Sequence, residues 1–398
     1  MSKLFAQLPF DPTISVTPYN IAVPEETLED LKSALDTVRP VKTTFENTNL
    51  GNGAGVTKEW IDNALKSWKN EFDWREIESE LNSYPNYLAH VTHKDEKLDV
   101  HFIGLFSNRK DAVPVIMSHG WPGNIIEFVP VIRYLTKKYT PETLPVHLIV
   151  PSLIGFGFSA PPPLTKEWTN LDTATVFDQA MRGLGFESYL AQGGDIGSYI
   201  SILLGDRFEA CKAVHLNMII IDPPADLDRS ALTEKDKAAL ERYEWFENWE
   251  FAYAQEHATK TSTIGMVIGS NPIALLAWIG EKLIVWSDET PSLDLILANI
   301  SLYYLTSTFP TSLYHYRTST GPNRVNSAIP RGLKGKPLGF SHFPKEIRPV
   351  PLAWIEADAN YDVSWFRAHE KGGHFAALEQ PESFWSDVEA FIKEKWPN

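Results

Sequence analysis

Apolar residues fall on one helical face early in the chain. In PEETLEDLKSALDTV (residues 24–38), Leu28, Leu31 and Leu35 recur at steps of three and four behind a proline start, which predicts a helix. TKEWIDNALKSWKNEF predicts a second, and the polar, glycine-containing residues 40–56 before it read as a loop. The period then changes. In YLAHVTHKDEKLDVHFIGLF, Leu98, Val100 and Phe102 alternate with other residues and KDEK is polar enough to turn, which predicts a hairpin.

From residue 113 short apolar runs alternate with helical stretches. VPVIMSHGWPG predicts a strand ending in a Gly/Pro loop, and PVHLIVPSLIGFGFS another strand and loop. LDTATVFDQAMRGLG predicts a helix closed by glycine, SYLAQGG a strand, IGSYISILLGDRF a helix and CKAVHLNMII a strand. Such alternation predicts a parallel sheet with helices on both faces, and unbroken apolar strands fit a sheet buried on both sides. After Asp222 the strands stop, and residues 222–325 are mostly helical. A helical block interrupting an α/β pattern reads as a lid over the sheet's C-terminal edge, where open α/β sheets bind ligands. The alternation resumes with KPLGFSHFP and VSWFRAHEKGGHF, with AWIEADAN as a short helix between them. The expected organisation is an N-terminal arm and hairpin over 1–105, core over 106–221, lid over 222–325 and core again over 326–398. No internal repeat is visible.

Composition narrows the partners. A chain of 398 residues, 43% hydrophobic, can bury a large core in one to three domains. The formal net charge of −15 disfavours nucleic acid and anionic membranes, and suits small-molecule or protein partners. The chain holds no apolar run long enough to span a bilayer, and MSKLFAQLPFDP is not a secretory signal. KWPN is not a peroxisomal address, so cytosol is the default. Cys211 is the only cysteine, which excludes an intrachain disulfide and fits a reducing compartment. It opens an apolar run and is expected to be a buried, inert thiol.

Chemistry concentrates at four places. In QGGDIG, Asp195 sits between a strand and a helix with Gly193 and Gly197 two residues to either side. A strand, a sharp turn and a helix present the central side chain at the top of a sheet, and small neighbours relieve the strain. Helix capping by Asp195 is the bland alternative, and the paired glycines favour a nucleophile. SHGWPG follows an early strand, as a loop that lends a backbone N–H to an oxyanion hole would. The expected donors are the N–H groups of Trp121 and Ile196, with His119 bracing the loop. EKGGHFAALEQP places His374, one of 11 histidines, in a Gly-rich loop after the last strand, where a general base is expected. Its orienting acid is Glu346 if KPLGFSHFP is the strand after the lid, and Asp358 or Asp362 if PLAWIEAD is. Glu346 is favoured, since VSWFRAHE already makes a final strand. His90 and His93 form H-x-x-H, but on a strand they point to opposite faces and read as surface residues, not metal ligands.

An aspartate nucleophile restricts the substrate. Serine attacking a saturated carbon would give an ether that water does not readily cleave. A carboxylate gives an ester, whose carbonyl a histidine-activated water can attack. Epoxides and alkyl halides are therefore the expected substrates, and ester and amide substrates are not expected, since attack by an aspartate would give an anhydride. An epoxide needs an acid for its oxygen, and Tyr243, Tyr253, Tyr303, Tyr304, Tyr314 and Tyr316 lie in the helical block. Composition alone does not choose among them.

Across nearly its whole length the chain resembles epoxide hydrolases of the α/β-hydrolase fold, in the branch of the microsomal and juvenile-hormone enzymes and soluble fungal relatives. WKNEFDW (68–74), HGWPG, QGGDIGS, SNPIALLAWIGEKLIVWSDE, GFSHFPKE and GGHFAALEQP match in order. The resemblance implies a mostly parallel sheet flanked by helices, with lid and arm, and an enzyme that turns an epoxide and water into a vicinal diol without cofactor or metal. It implies Asp195 as nucleophile, His374 as base and Glu346 as its partner. FAYAQEHATKTSTIG resembles the site of one catalytic tyrosine, falling on Tyr253. SLYHYR resembles the other, falling on Tyr316 with Tyr314 its rival. It further implies a homodimer, detoxification and breakdown of aromatic hydrocarbons, while the N-terminal membrane anchor of the microsomal relatives is a feature not expected here. The departures are Asn124 for serine, Ile154 and Phe156 for proline and tyrosine, and Thr261 for proline. A haloalkane dehalogenase, or a binding protein without turnover, is the alternative.

Overall fold

In the computed structural model, residues 4–224 and 227–397 are described; Ala225 and Asp226 of the expected lid, and the first three residues and Asn398 of the two terminal stretches, lie outside them. One nine-stranded sheet organises the chain. Its strands are β1 (Val16–Tyr19), β2 (Asn86–His93), β3 (Glu96–Leu105), β4 (Val113–Ser118), β5 (Val146–Pro151), β6 (Tyr189–Gly193), β7 (Cys211–Leu216), β8 (Leu333–His342) and β9 (Tyr361–Ala368). Their spatial order is β1-β2-β3-β5-β4-β6-β7-β8-β9. The first three strands pair antiparallel, as does β3 with β5, and every later pairing is parallel. β4 and β6 leave the sheet together, because Ser118 pairs with Gly193. The loops after these two strands therefore rise side by side.

Every residue of β5 and β6 is buried, and apart from His147 and Gln192 both strands are apolar, as a sheet covered on both faces requires. The helices Val129–Lys138 and Pro381–Lys395 pack on each other beside the sheet, as do Asn170–Gly183 and Asp195–Arg207. Helix Asn170–Gly183 starts at a capping box, in which Thr169 and Asp172 satisfy each other's backbone N–H. The hairpin turns on Lys94 and Asp95, both at positive φ (52° and 64°), a two-residue connection whose twist suits the paired strands.

Between β7 and β8 run the helices Glu234–Trp245, Ala252–Thr259, Thr261–Gly269, Pro272–Val285, Leu293–Leu305 and Tyr314–Ser319. The arm helix Lys58–Asn70 lies against two of them, Pro272–Val285 and Leu293–Leu305. Trp68 donates its indole N–H to Ser301 at 2.9 Å, and the Trp60 ring sits so close to Gly280 that an added Cβ would meet it at 2.5 Å. No single described helix is long and apolar enough to cross a membrane.

Two expectations change here. His93 is not a surface residue: its side chain is 15% exposed and its Nε2 lies 2.9 Å from Asp172, which ties the hairpin to helix Asn170–Gly183. His90, at the sheet edge, bonds Asp99 at 2.7 Å and is partly open to solvent. Helix Trp74–Ser83 and strand β1 lie where no element is predicted. The helix starts at an Asp73 cap and buries Trp74 and Leu81 with Ile77 partly buried between them, steps of three and four that carry a helical signal. β1 is an edge strand with no fully buried position and a proline inside it.

Candidate active site

Asp195 is the first residue of its helix and has φ +48°, a left-handed conformation that a non-glycine residue rarely takes without being held. The hold is close packing. A Cβ on Gly197 would lie 2.0 Å from the Ser118 carbonyl oxygen at the end of β4. A Cβ on Gly120 would lie 2.2 Å from Asp195 Oδ1, so the neighbouring loop too must be bare there. Trp121 N–H donates to Asp195 Oδ1 at 2.8 Å, and the Ile196 N–H also donates to the carboxylate. Burial raises the Asp195 pKa; His374 and these two N–H groups pull it back, and the net shift is upward.

His119 holds this loop. Its Nδ1 lies 3.0 Å from the Gly120 carbonyl and its Nε2 accepts from Leu153 N–H at 3.2 Å, which fixes one tautomer. Burial pushes its pKa down to about 4, so it is neutral and bonds two loops together.

His374 lies in the loop after β9. That loop is zipped to the one after β8 by the Lys345 N–H donating to Gly372 O at 3.0 Å. Its Gly372 has φ +108° and donates to Asp288 Oδ2 at 2.9 Å. The zipper brings Glu346 Oε1 to 2.5 Å from His374 Nδ1, and leaves His374 Nε2 3.6 Å from Asp195 Oδ2. Burial alone would lower the imidazole pKa, but Glu346 first and Asp195 next hold it up to about 9. Asp358 instead caps a turn, accepting from Asn360 N–H at 2.9 Å, and Asp362 is exposed.

Tyr253 and Tyr316 come from two helices of the block, and their hydroxyls meet at 3.4 Å. The Tyr253 ring stacks on Trp121 at 5.1 Å and 14°, and Tyr316 meets the same indole edge-on at 5.8 Å. Burial pushes both phenols well above the ordinary tyrosine range, and the Asp195 charge pushes them further. Both are hydrogen-bond donors at neutral pH, and two donors this close can share one acceptor oxygen. Tyr314 turns elsewhere, its hydroxyl 2.7 Å from Thr173 Oγ1. Tyr243 donates to Asp222 and Tyr303 to the Gly123 carbonyl, while Tyr304 is only half-buried. One π-helical turn, Phe246–Glu250, precedes the Tyr253 helix.

The departures from the family pattern have local roles. Asn124 caps the turn after HGWPG, accepting from Ile126 N–H at 3.0 Å. Ile154 and Phe156 are fully buried, with Phe156 against His119. Thr261 Oγ1 donates to the His257 carbonyl at 2.6 Å.

Two ionisable groups at the site escape the sequence reading. Glu127 carries a carboxyl that burial pushes up to about 8, within the fields of His374 and Asp195. Lys282 lies beside Tyr253. The available signal was an ionisable residue inside an apolar run: Glu127 in NIIEFVP, and the Glu281–Lys282 pair in IGEKLIVW. Among the described residues no group of three or more His, Cys, Asp or Glu is arranged to hold a metal ion.

Known proteins carry the same architecture. Residues 16–128 match the family described as epoxide hydrolase N terminus, and residues 113–265 match the alpha/beta hydrolase fold. The structure of Aspergillus niger epoxide hydrolase superposes with a TM-score of 0.91 at 43% identity, covering 99% of this chain and 100% of that one. Epoxide hydrolase 1 of Oryctolagus cuniculus is 30% identical over 95% of this chain and 89% of its own. The juvenile hormone epoxide hydrolase of the silkworm Bombyx mori has a TM-score of 0.82 at 26% identity, covering 96% of this chain and 95% of that one. With a central sheet, an aspartate elbow and matches spanning almost its full length, the chain belongs to the epoxide hydrolases of the α/β-hydrolase fold.

Proposed function

We propose that the protein hydrolyses its epoxide through a covalent aspartyl ester, under the helices between β7 and β8 acting as a lid. The carrying observation is that one group, Trp121, links the two halves of the reaction. Its N–H holds the Asp195 carboxylate at 2.8 Å while its indole carries the Tyr253 ring.

Ring opening comes first. Asp195 attacks an epoxide carbon, the ring C–O bond breaks, and its electron pair stays on the oxygen, which Tyr253 and Tyr316 hold and protonate. Asp195 is then neutral, and one of the charges holding His374 up is gone. Its pKa falls, it gives its proton up to solvent, and the neutral imidazole becomes a usable base once there is an ester to hydrolyse. His374, oriented by Glu346, takes a proton from water. The hydroxide adds to the ester carbonyl, and the N–H groups of Trp121 and Ile196 stabilise the oxyanion. Collapse releases the diol, with His374 returning the proton to the departing oxygen. The proton left on the Asp195 carboxylic acid restores the phenol, and with Asp195 again a carboxylate His374 takes a proton back from solvent.

A single turnover in heavy-oxygen water tests the ester. The first diol formed should carry no heavy oxygen, because its new oxygen comes from Asp195, and later turnovers should carry one per product. Heavy oxygen in the first-turnover diol, with unlabelled Asp195, would exclude the ester and favour direct attack by water.

A further inference from the structure

Lys282 sits on the helix Pro272–Val285 with 6% of its side chain exposed. Lysines are almost never that buried without a partner. One partner is Glu281, 2.9 Å away, and another is Glu250, at 3.8 Å. Pairing does not by itself explain the position, because Glu281 is 21% exposed and could be met nearer to solvent. The position also puts the ammonium 5.1 Å from the centre of the Tyr253 ring and 5.6 Å from that of Trp286, within the range of a cation–π contact. Among the described residues no such contact is made to Tyr316. The hydrogen bond between the two phenols runs from Tyr316 to the Tyr253 oxygen.

We propose that Lys282 is a positioning residue for ring opening: its ammonium, held over the Tyr253 ring, makes Tyr253 and not Tyr316 the phenol that gives its proton to the epoxide oxygen. The inference rests on the aspartyl-ester reading. As the proton leaves, negative charge spreads into the Tyr253 ring, where the ammonium stabilises it, and the Tyr316 O–H stabilises what stays on the oxygen. Glu281 and Glu250 offset part of this field. Burial pushes the Glu250 carboxyl up, towards its neutral form, and pushes His257, the other titratable group against the Tyr253 ring, down to about 3. In the step itself a carboxylate C–O bond forms, the epoxide C–O bond breaks, and the proton moves from Tyr253 to the new alkoxide. The resulting tyrosinate recovers its proton from the Asp195 carboxylic acid that ester hydrolysis leaves.

The test is a double-mutant cycle followed by single-turnover kinetics that separate ester formation from ester hydrolysis. Lys282→Met should slow ester formation about 30-fold, the effect of losing a desolvated cation–π contact. It should change ester hydrolysis less than about twofold, and Lys282→Arg should recover most of the loss. In a Tyr253→Phe background, Lys282→Met should add less than about twofold. Equal slowing in both backgrounds, or of both steps, overturns the proposal. Tyr253→Phe leaving ester formation untouched would instead overturn the tyrosine assignment on which the inference rests. If Lys282→Met loses its cooperative melt, Glu281→Gln decides: it removes the carboxylate nearest the ammonium and should quicken ester formation, and an unchanged or slower rate overturns the proposal.

Discussion

At neutral pH the free protein holds His374 as an imidazolium, since Glu346 and Asp195 raise it to about 9. That cation helps keep Asp195 ionised against a burial that favours the neutral acid. In the proposed mechanism the same contact serves the nucleophile first and supplies the base afterwards. His374→Gln should leave ring opening in place and block the second half, with turnover falling by about 1,000-fold. Intact-mass spectrometry should then show a protein heavier by one epoxide. Glu346→Gln should give the same adduct at a smaller loss, about 100-fold, because the imidazole remains but loses its orientation. Turnover lost in Asp358→Asn and kept in Glu346→Gln would move the acid role to the other loop. The placing of Asp195 and His374 was legible because each sits in a short local pattern whose spacing has a physical reason, whereas Glu346 depended on which strand follows the helical block, with Asp358 and Asp362 the alternatives. Lys282 and Glu127 were not legible, because what makes them notable is the ring or charge they face, and those come from distant parts of the chain.

Among the elements, the joint between arm and helical block matters beyond packing. Helix Lys58–Asn70 carries Trp60 into the notch at Gly280 and Trp68 to Ser301, so it grips the same helix that bears Lys282. Ser301 is fully buried, and its hydroxyl would lose this partner if the indole N–H were gone. Trp68→Phe should therefore lower stability by about 1–3 kcal/mol, read as a reduced denaturant midpoint at unchanged slope. A midpoint equal to that of the parent would show that the arm does not clamp the block through this bond. The arm's first helix and the hairpin follow from periodicity because each buries a clear stripe. Strand β1 does not, having no fully buried position and owing its order to strand pairing, whereas helix Trp74–Ser83 repeats Trp74, Ile77 and Leu81 at helical spacing much as the first helix repeats its leucines, so its signal was there to be read. The helix that grips and the helix that is gripped are both visible in sequence, but their meeting is not.

For the whole molecule, the buried titratable groups set a stability optimum. Burial pushes His101 and His257 down to about 3, and His119, His147 and His215 to about 4, from an ordinary 6.5. His315 and His342 are lowered as well. Below pH 6.5 the unfolded chain binds protons that the folded chain refuses, so stability falls as pH drops from 6.5 towards 4. The opposite set is Glu127 at about 8 and Glu379 at about 7, both raised by burial, and His374, raised by Glu346 to about 9 against its burial. These groups hold protons in the folded state. Their contribution is full below the unfolded values, 4.5 for the carboxyls and 6.5 for the imidazole, and is lost as pH climbs through 7 to 9. Between 4.5 and 6.5 the two carboxyls oppose the histidines but are outnumbered, and Asp178, Asp195 and Glu250, with smaller rises, act only nearer their ordinary values. The expected thermal midpoint is highest near pH 6.5 and falls on both sides, more steeply towards acid. Melts from pH 4.5 to 9 at constant ionic strength check it. A midpoint that holds steady or rises on acidification from 6.5 to 4.5 would mean that the buried histidines are not kept neutral in the fold.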